Sequence, residues 1–477
     1  LDISPSITPP KFKFDKGTGA GMTSPEISSS AQSRALWLST ISFTANFAVW
    51  TIFSIIGVQI KKDLALTDTQ FGLLVGTPIL TGSLIRLLLG VWTDQFGGRI
   101  MNVIVMFSAA IATWLLTYAY DYTTFLIAAL GVGIAGGSFA VGIAYVSKWY
   151  PKEKQGTALG IFGAGNVGAA VTKFLAPMIM VAYGWQTVAQ VWSVGLALMA
   201  VIFWFMTEDD PELAERRRTG AKPEPLSAML VPLKNIQVWR FSLYYFFVFG
   251  GFVALALWLP RYYVGVYGLD IVTAGLLGAA YSIPGSLFRI LGGKLSDVYG
   301  ARRVMYWTFA GSMAATFFLS YPATHYIVTG IKGPIEFDIA IGFVPFMMLT
   351  FVLGFFMSLG KAAVYKHIPV YYPGRVGAVG GIVGLIGGLG GFILPIAFGA
   401  LNDWIGIWTS CFMLMFLIVS VSFLWMHMAV REMEKHAHPE LRNAHDLPEL
   451  ASTRMAQGKT ESGLAARVLG VAPSGKH

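Results

Sequence analysis

Two arginines fall where an apolar chain has least reason to carry them. Arg86 lies in Ser83-Leu-Ile-Arg86-Leu-Leu-Leu-Gly90-Val-Trp-Thr-Asp94, and Arg289 in Ser286-Leu-Phe-Arg289-Ile-Leu-Gly-Gly293-Lys-Leu-Ser-Asp297, with the acidic residue eight positions on in each case. A guanidinium is planar, permanently charged, and can give two parallel N–H donors to an oxyanion. Placing one in hydrocarbon costs at least ~2.5–3.5 kcal/mol on insertion scales, so each is expected to face an internal cavity. Two such groups without a countercharge repel one another, and a small anion bound between them relieves the repulsion. The blander reading is that each arginine caps helix carbonyls or reaches inward to the headgroups. A symmetric pair weighs against that.

Asn166 is the second chemical signal. It sits in Gly160-Ile-Phe-Gly163-Ala-Gly165-Asn166-Val-Gly168-Ala-Ala, about ten residues into an apolar run, where an amide needs partners. A run of similar glycine density, Gly380-Gly-Ile-Val-Gly384-Leu-Ile-Gly387-Gly388-Leu-Gly390-Gly391, stands in the second half of the chain. Glycine at this density weakens a helix in water but lets a neighbouring helix, or a ligand, approach bare backbone in a membrane. Lys173, further along the Asn166 run, is expected to snorkel to the outer surface, with a part in proton coupling as the sharper alternative. Lys361 is expected to snorkel towards the opposite side. The single cysteine, Cys411, excludes an internal disulfide, and no metal cluster, cofactor motif or nucleophile–base pair is visible.

Apolar helices must position these groups. Hydrophobic residues make up 55% of the 477 positions and charged residues 12%, about half the charge that a soluble surface carries. Twelve apolar segments can be drawn, at 36–60, 70–91, 100–120, 122–147, 156–182, 187–206, 240–264, 272–293, 303–322, 338–365, 376–401 and 406–430. Each is near or above the ~20 residues that cross ~30 Å of hydrocarbon. The expected organisation is a disordered N-terminal tail over 1–35, a six-helix bundle over 36–206, a polar linker over 207–239, a second six-helix bundle over 240–430, and a C-terminal tail over 431–477. Of the 34 Lys and Arg, Lys61, Lys62, Arg261 and Lys332 alone fall in the loops opposite the chain ends, and Arg86, Lys173, Arg289 and Lys361 fall inside helices. That bias places both termini in the cytoplasm. It also accounts for the net charge of +9 without a nucleic acid partner.

The two halves repeat. Residues 83–99 read SLIRLLLGVWTDQFGGR and residues 286–302 read SLFRILGGKLSDVYGAR, with Ser, Leu, Arg, Gly, Asp, Gly and Arg at the same offsets. Paired six-helix halves place a substrate site between them near the bilayer midplane. Gly90 to Arg99, with its counterpart Gly293 to Arg303, resembles the loop motif of the major facilitator superfamily. In that family the Asp and basic residues form an inner gate, which implies Asp94, Arg99, Asp297 and Arg302 here.

The glycine-rich helices and the paired arginines together resemble the nitrate/nitrite porter branch of that superfamily over about residues 36–430. The resemblance implies an all-α membrane protein, two pseudo-symmetric bundles of six helices. It implies Arg86 and Arg289 as the substrate clamp, Gly163 and Gly384 in its nitrate signatures, and Phe139, Tyr245 and Phe249 as aromatic walls around a flat, weakly hydrated anion. Lys173 replaces a neutral polar residue of the exchangers, as in the branch regarded as proton-coupled importers. The expectation is therefore a nitrate transporter of the bacterial inner membrane, serving nitrate assimilation. It is expected to be a monomer in the lipid bilayer, working by nitrate/proton symport with no cofactor. Nitrate/nitrite antiport, carriage of another small anion such as an organic acid, and a membrane nitrate sensor signalling through the C-terminal tail are the alternatives.

Overall fold

Long apolar segments can satisfy their backbone in lipid only as helices or closed barrels, and this chain forms helices. The computed structural model describes residues 28–150, 152–211, 213, 235–371 and 376–436. Most of the expected tails and linker therefore lies outside the described residues. Eleven helices among those described are long and apolar enough to cross a bilayer: Ser29–Asp63, Asp68–Gly90, Gly98–Tyr118, Tyr122–Trp149, Thr157–Tyr183, Trp185–Met206, Ile236–Tyr267, Ile271–Tyr299, Phe343–Ile368, Val379–Ile405 and Ser410–Glu432. The helix Ala301–Leu319 comes ninth in chain order, begins with Arg302 and Arg303, and packs between the tenth and twelfth spans. Counted with those eleven it makes twelve long helices among the described residues, eleven of which are apolar enough to span by composition, against the expected twelve.

Several boundaries differ from expectation. The first helix begins at Ser29 rather than at 36, and the last runs on to His436. The tenth begins at Phe343 rather than at 338, because the preceding residues form an antiparallel hairpin, β1 (Thr324–Gly330) and β2 (Gly333–Ile339). Alternating β-branched and aromatic residues favour strands, and Gly333, at φ +129°, takes a backbone conformation that side chains rarely allow.

Four spans give up regular helix at mid-depth. The first breaks between Trp50 and Phe53. The fourth tightens to a 3₁₀ turn over Gly133–Gly137, and the fifth does the same over Ala164–Val167. The seventh widens to a π turn over Phe246–Gly251. Such irregular backbone is tolerated at membrane depth where protein or a cavity covers it.

The two halves meet most closely along the second and eleventh spans. A Cβ at Gly72 would stand 2.1 Å from the Pro395 carbonyl oxygen, and one at Gly399 would stand 2.1 Å from that of Asp68. These contacts lie near the face opposite the chain ends, here termed the distal face. Nearer the face that carries the chain ends, the terminal face, the fit loosens. Gly90 and Gly381 of the same two helices meet nothing within 4 Å. The halves are thus closed at the distal face and splayed towards the terminal one.

Candidate functional site

Arg86 projects from the second span into the zone of broken helices and is 5% exposed. Its Nε donates to the Gly136 carbonyl at 3.2 Å, and one terminal nitrogen donates to the Gly384 carbonyl at 3.1 Å. Gly136 lies in the 3₁₀ turn of the fourth span, where altered pairing leaves carbonyls for other donors. The guanidinium carbon lies 5.3 Å from the ring centroid of Trp50, 5.2 Å from Phe139 and 5.4 Å from Phe249. Arg86 thus contacts backbone and rings from both halves. The carbonyl-capping reading holds for part of its guanidinium.

Arg289 answers from the eighth span, also 5% exposed. It lies 5.6 Å from the Phe139 centroid and 5.9 Å from that of Tyr365. It rests against Gly163 of the first half so closely that a Cβ there would meet Cζ at 2.9 Å. Its Nη1 has no hydrogen-bond partner among the described residues. Neither arginine forms an ion pair with a carboxylate among the described residues. The condition that would have removed the case for an anion, neutralisation by a neighbouring acid, is not met there.

Rings wall the pair. Tyr245 and Phe249 stack at 5.0 Å with planes 7° apart, so the expected shared face exists, built on a π turn. Phe139 and Phe249 lie 6.3 Å apart at 21°, and Tyr365 meets Tyr245 edge-on at 5.0 Å. Asn166 is fully buried in the fifth span's 3₁₀ turn, and both its amide atoms lack a partner among the described residues, as do the hydroxyls of Ser83 and Tyr245. A buried polar atom left unpaired costs ~1–3 kcal/mol. Four such groups in the helices that frame the two arginines, counting Arg289, describe a site whose polar partner is something other than the described chain.

Three site residues escaped sequence reasoning. Trp50 donates its indole N–H to the Pro78 carbonyl at 2.8 Å and presents its ring to Arg86. Nothing in the sequence distinguishes it from other membrane tryptophans. Tyr365 donates to the Gly380 carbonyl at 3.2 Å; the signal available was Lys361, one turn earlier, which marks that helix as internal. Ser83 opens the repeated motif and could have been read from it. Gly384 serves through its carbonyl. The close approach to Arg86 occurs at Gly388, where a Cβ would stand 3.1 Å from the guanidinium nitrogen and 2.4 Å from Ser83 Oγ.

The two lysines correct an expectation. Neither snorkels: both are fully buried. The eighth span covers Lys173, whose Nζ donates to the Ala169 carbonyl at 3.2 Å and to Ser282 Oγ at 3.0 Å. Lys361 donates to the Gly285 carbonyl and lies 3.4 Å over the Phe252 ring centroid, enclosed by seventh, eighth and tenth spans.

The expected gate residues lie at the terminal face, and those described engage their own halves. Arg99 donates from Nε to the Trp204 carbonyl at 3.2 Å and stacks over that indole at 4.3 Å. Asp297 pairs with Lys366. Arg302 is buried and lines a small cavity with Arg240, Tyr244 and His367. The side chain of Asp94 lies outside the described residues. Arg99 and Asp297 are thus each held within their own half, which agrees with the splayed terminal face.

Comparisons with known proteins point one way. The model of the Major Facilitator Superfamily matches residues 38–333 and 273–467. The probable nitrate/nitrite antiporter NarK1 of Thermus thermophilus is 44% identical over 87% of this chain and 95% of its own length. The nitrite extrusion protein of Bacillus subtilis is 31% identical over 82% and 94%, and the probable nitrate transporter NarT of Staphylococcus haemolyticus is 28% identical over 84% and 98%. Among solved structures, a bacterial homologue of the human lysosomal transporter Spinster, inward-facing and unoccupied, has a TM-score of 0.61 at 18% identity, covering 85% of this chain and 98% of that one. At that identity it shows the fold alone.

Proposed function

This chain belongs to the major facilitator superfamily, in its nitrate and nitrite porter branch, and we propose that it carries nitrate across a bacterial inner membrane by alternating access, in symport with a proton. It is a multi-pass transporter, not an enzyme. The observation that carries the substrate reading is the pair of guanidinium groups over one phenyl ring, with no carboxylate paired to either among the described residues. An anion between them removes their mutual repulsion. The free donors at Arg289 Nη1, Asn166 and Tyr245 would take its oxygens. Aromatic walls strip water cheaply from a weakly hydrated anion such as nitrate or nitrite and exclude strongly hydrated ones.

The basic residues orient the molecule, with both chain ends in the cytoplasm. The terminal face is then the inner face, and the conformation opens inward. Closing it would bring together the loops that bear Asp94, Arg99, Asp297 and Arg302, the inner gate of this reading. Glycines on the fifth and eleventh spans allow the halves to slide.

Lys173 supports the proton. Its two acceptors, Ala169 O and Ser282 Oγ, match the two N–H groups of a neutral amine, because Ser282 itself donates to the Gly278 carbonyl at 2.9 Å. An ammonium would hold a third N–H without a partner among the described residues. A lysine that takes a proton from the outer solution when that side is open, and passes it to the inner solution when the inner side is open, would carry a compensating charge with each cycle. Exchange of nitrate for nitrite is the second reading. The Thermus relative at 44% identity carries the name antiporter, and an empty site with two uncompensated cations resists closing.

Purified protein in proteoliposomes separates the two. Acceleration of nitrate uptake by an inward proton gradient, with no anion inside, supports symport; a strict requirement for internal nitrite supports exchange. No nitrate or nitrite flux under either condition would sink the substrate assignment.

A further inference from the structure

The seam between the second and eleventh spans ends, at its outer edge, in a charged cluster remote from the arginine pair. Asp68 opens the second span. Its carboxylate lies 3.1 Å from Lys61 Nζ and 3.3 Å from Arg261 Nη2, and accepts a hydrogen bond from Asn402 Nδ2 at 3.0 Å. Arg261 and Asn402 belong to the second half. Asp403 reaches the other way, accepting the backbone N–H of Asp68 at 3.1 Å and of Thr69 at 2.7 Å, together with the Thr69 hydroxyl.

Helix chemistry explains why these groups meet. The first N–H groups of a helix have no intrahelical partner, and its N-terminus carries partial positive charge. Within the first half, Thr67 caps the Gln70 N–H in a reciprocal capping box. The N–H groups of Asp68 and Thr69 are taken by a carboxylate of the opposite half. Arg261 is held in direction by Trp408, whose ring centroid lies 4.6 Å from its Cζ. Two acids and two bases make the assembled cluster neutral, so it neither attracts nor repels a passing anion while closed.

We infer that Asp68 and Asp403, with Arg261 and Asn402, are the outer gate of this transporter. Every contact of the Asp68 and Asp403 carboxylates just named, except that with Lys61, joins one half to the other. Alternating access requires the halves to part at this face, and the close approaches at Gly72 and Gly399 lie directly beneath. Parting must break the ion pair, the amide bond and the shared helix cap together, and reclosing must remake them. Single contacts at partly exposed positions are weak, which suits a lock that opens in each cycle. The gate is independent of which anion is carried.

The lone cysteine makes the test direct. Cys411 is buried, and Cys411→Ser gives a background to which Ile79→Cys is added. Ile79 is fully buried on the seam against Gly391 and is reached from outside when the halves part. In right-side-out vesicles, Asp403→Asn and Arg261→Gln are each expected to raise labelling by an impermeant thiol reagent about threefold to fivefold. Asp68→Asn combined with Arg261→Gln is expected to add little to either alone, because the two share one pair. The apparent KM for external anion should fall and that for internal anion rise, as the outward-open fraction grows. A loosened fold would not move the two in opposite directions. Unchanged labelling in both single variants, in protein of unaltered melting temperature, overturns the gate. Should the charged variants fail to insert, Asn402→Ala removes a single hydrogen bond and is expected to raise labelling by a smaller factor; no rise there also overturns it. Failure of the nitrate reading would leave the labelling result standing.

Discussion

Arg289 of the second half lies against Gly163 of the first with no room for a methyl group, since a Cβ there would stand 2.9 Å from both Cζ and Nε. A glycine in the fifth span thus sets where a charge from the eighth span comes to rest. Gly163→Ala should displace the guanidinium and lower nitrate affinity about tenfold, the effect of a ~1–3 kcal/mol overpacking strain. Gly90→Ala, at a position with nothing within 4 Å, should leave binding unchanged. Equal affinities in a binding titration would show that Arg289 does not need that position.

Arginine geometry, and not charge alone, is expected to hold the anion. Arg86→Lys keeps a cation but gives up the fork that reaches Gly136 and Gly384 together. Uptake should fall about 30- to 100-fold in Arg86→Lys and in Arg289→Lys, as expected for loss of charge-assisted bonds of ~2–3 kcal/mol. Normal uptake by both lysine variants would reduce the pair to a source of field.

Asn166 offers a test that separates binding from packing. Its amide has no partner among the described residues, so Asn166→Leu removes an unsatisfied group and should leave the anion-free melting temperature unchanged or slightly higher. Nitrate affinity should drop about tenfold. A large loss of stability without anion would assign Asn166 to helix packing instead.

Lys173→Met should uncouple transport from the proton gradient. Counterflow of nitrate would persist, while acceleration by an imposed pH difference would disappear. Full gradient stimulation in Lys173→Met would leave the proton without this carrier and favour exchange.

The sequence exposed the parts of this molecule that rest on rare residues in an apolar setting. Arg86 and Arg289 were readable because charge in lipid demands a reason, and the repeat around them identified two halves. The Asn166 run was readable because glycine density is costly unless something uses it. Other features depend on neighbours that no local pattern specifies. Counting from the helix end placed Lys173 near the surface, but the eighth span buries it through the close packing at Gly275 and Gly278. Trp50 and Tyr365 reach the arginines through helix breaks and crossings that single aromatic residues do not advertise. Asp68 and Asp403 are 335 residues apart in the chain, and no spacing rule links them.

The breaks in the first, fourth, fifth and seventh spans carry a consequence for how tightly a guest can be enclosed. A continuous helix swings as a rod, so shutting one end of a bundle pries the other apart. A rod interrupted at its middle can bend there, letting its two ends settle separately. With Asn166 and Phe249 inside such breaks, and Trp50 and Phe139 beside them, the walls nearest the anion can tighten around it before either mouth of the passage has finished moving.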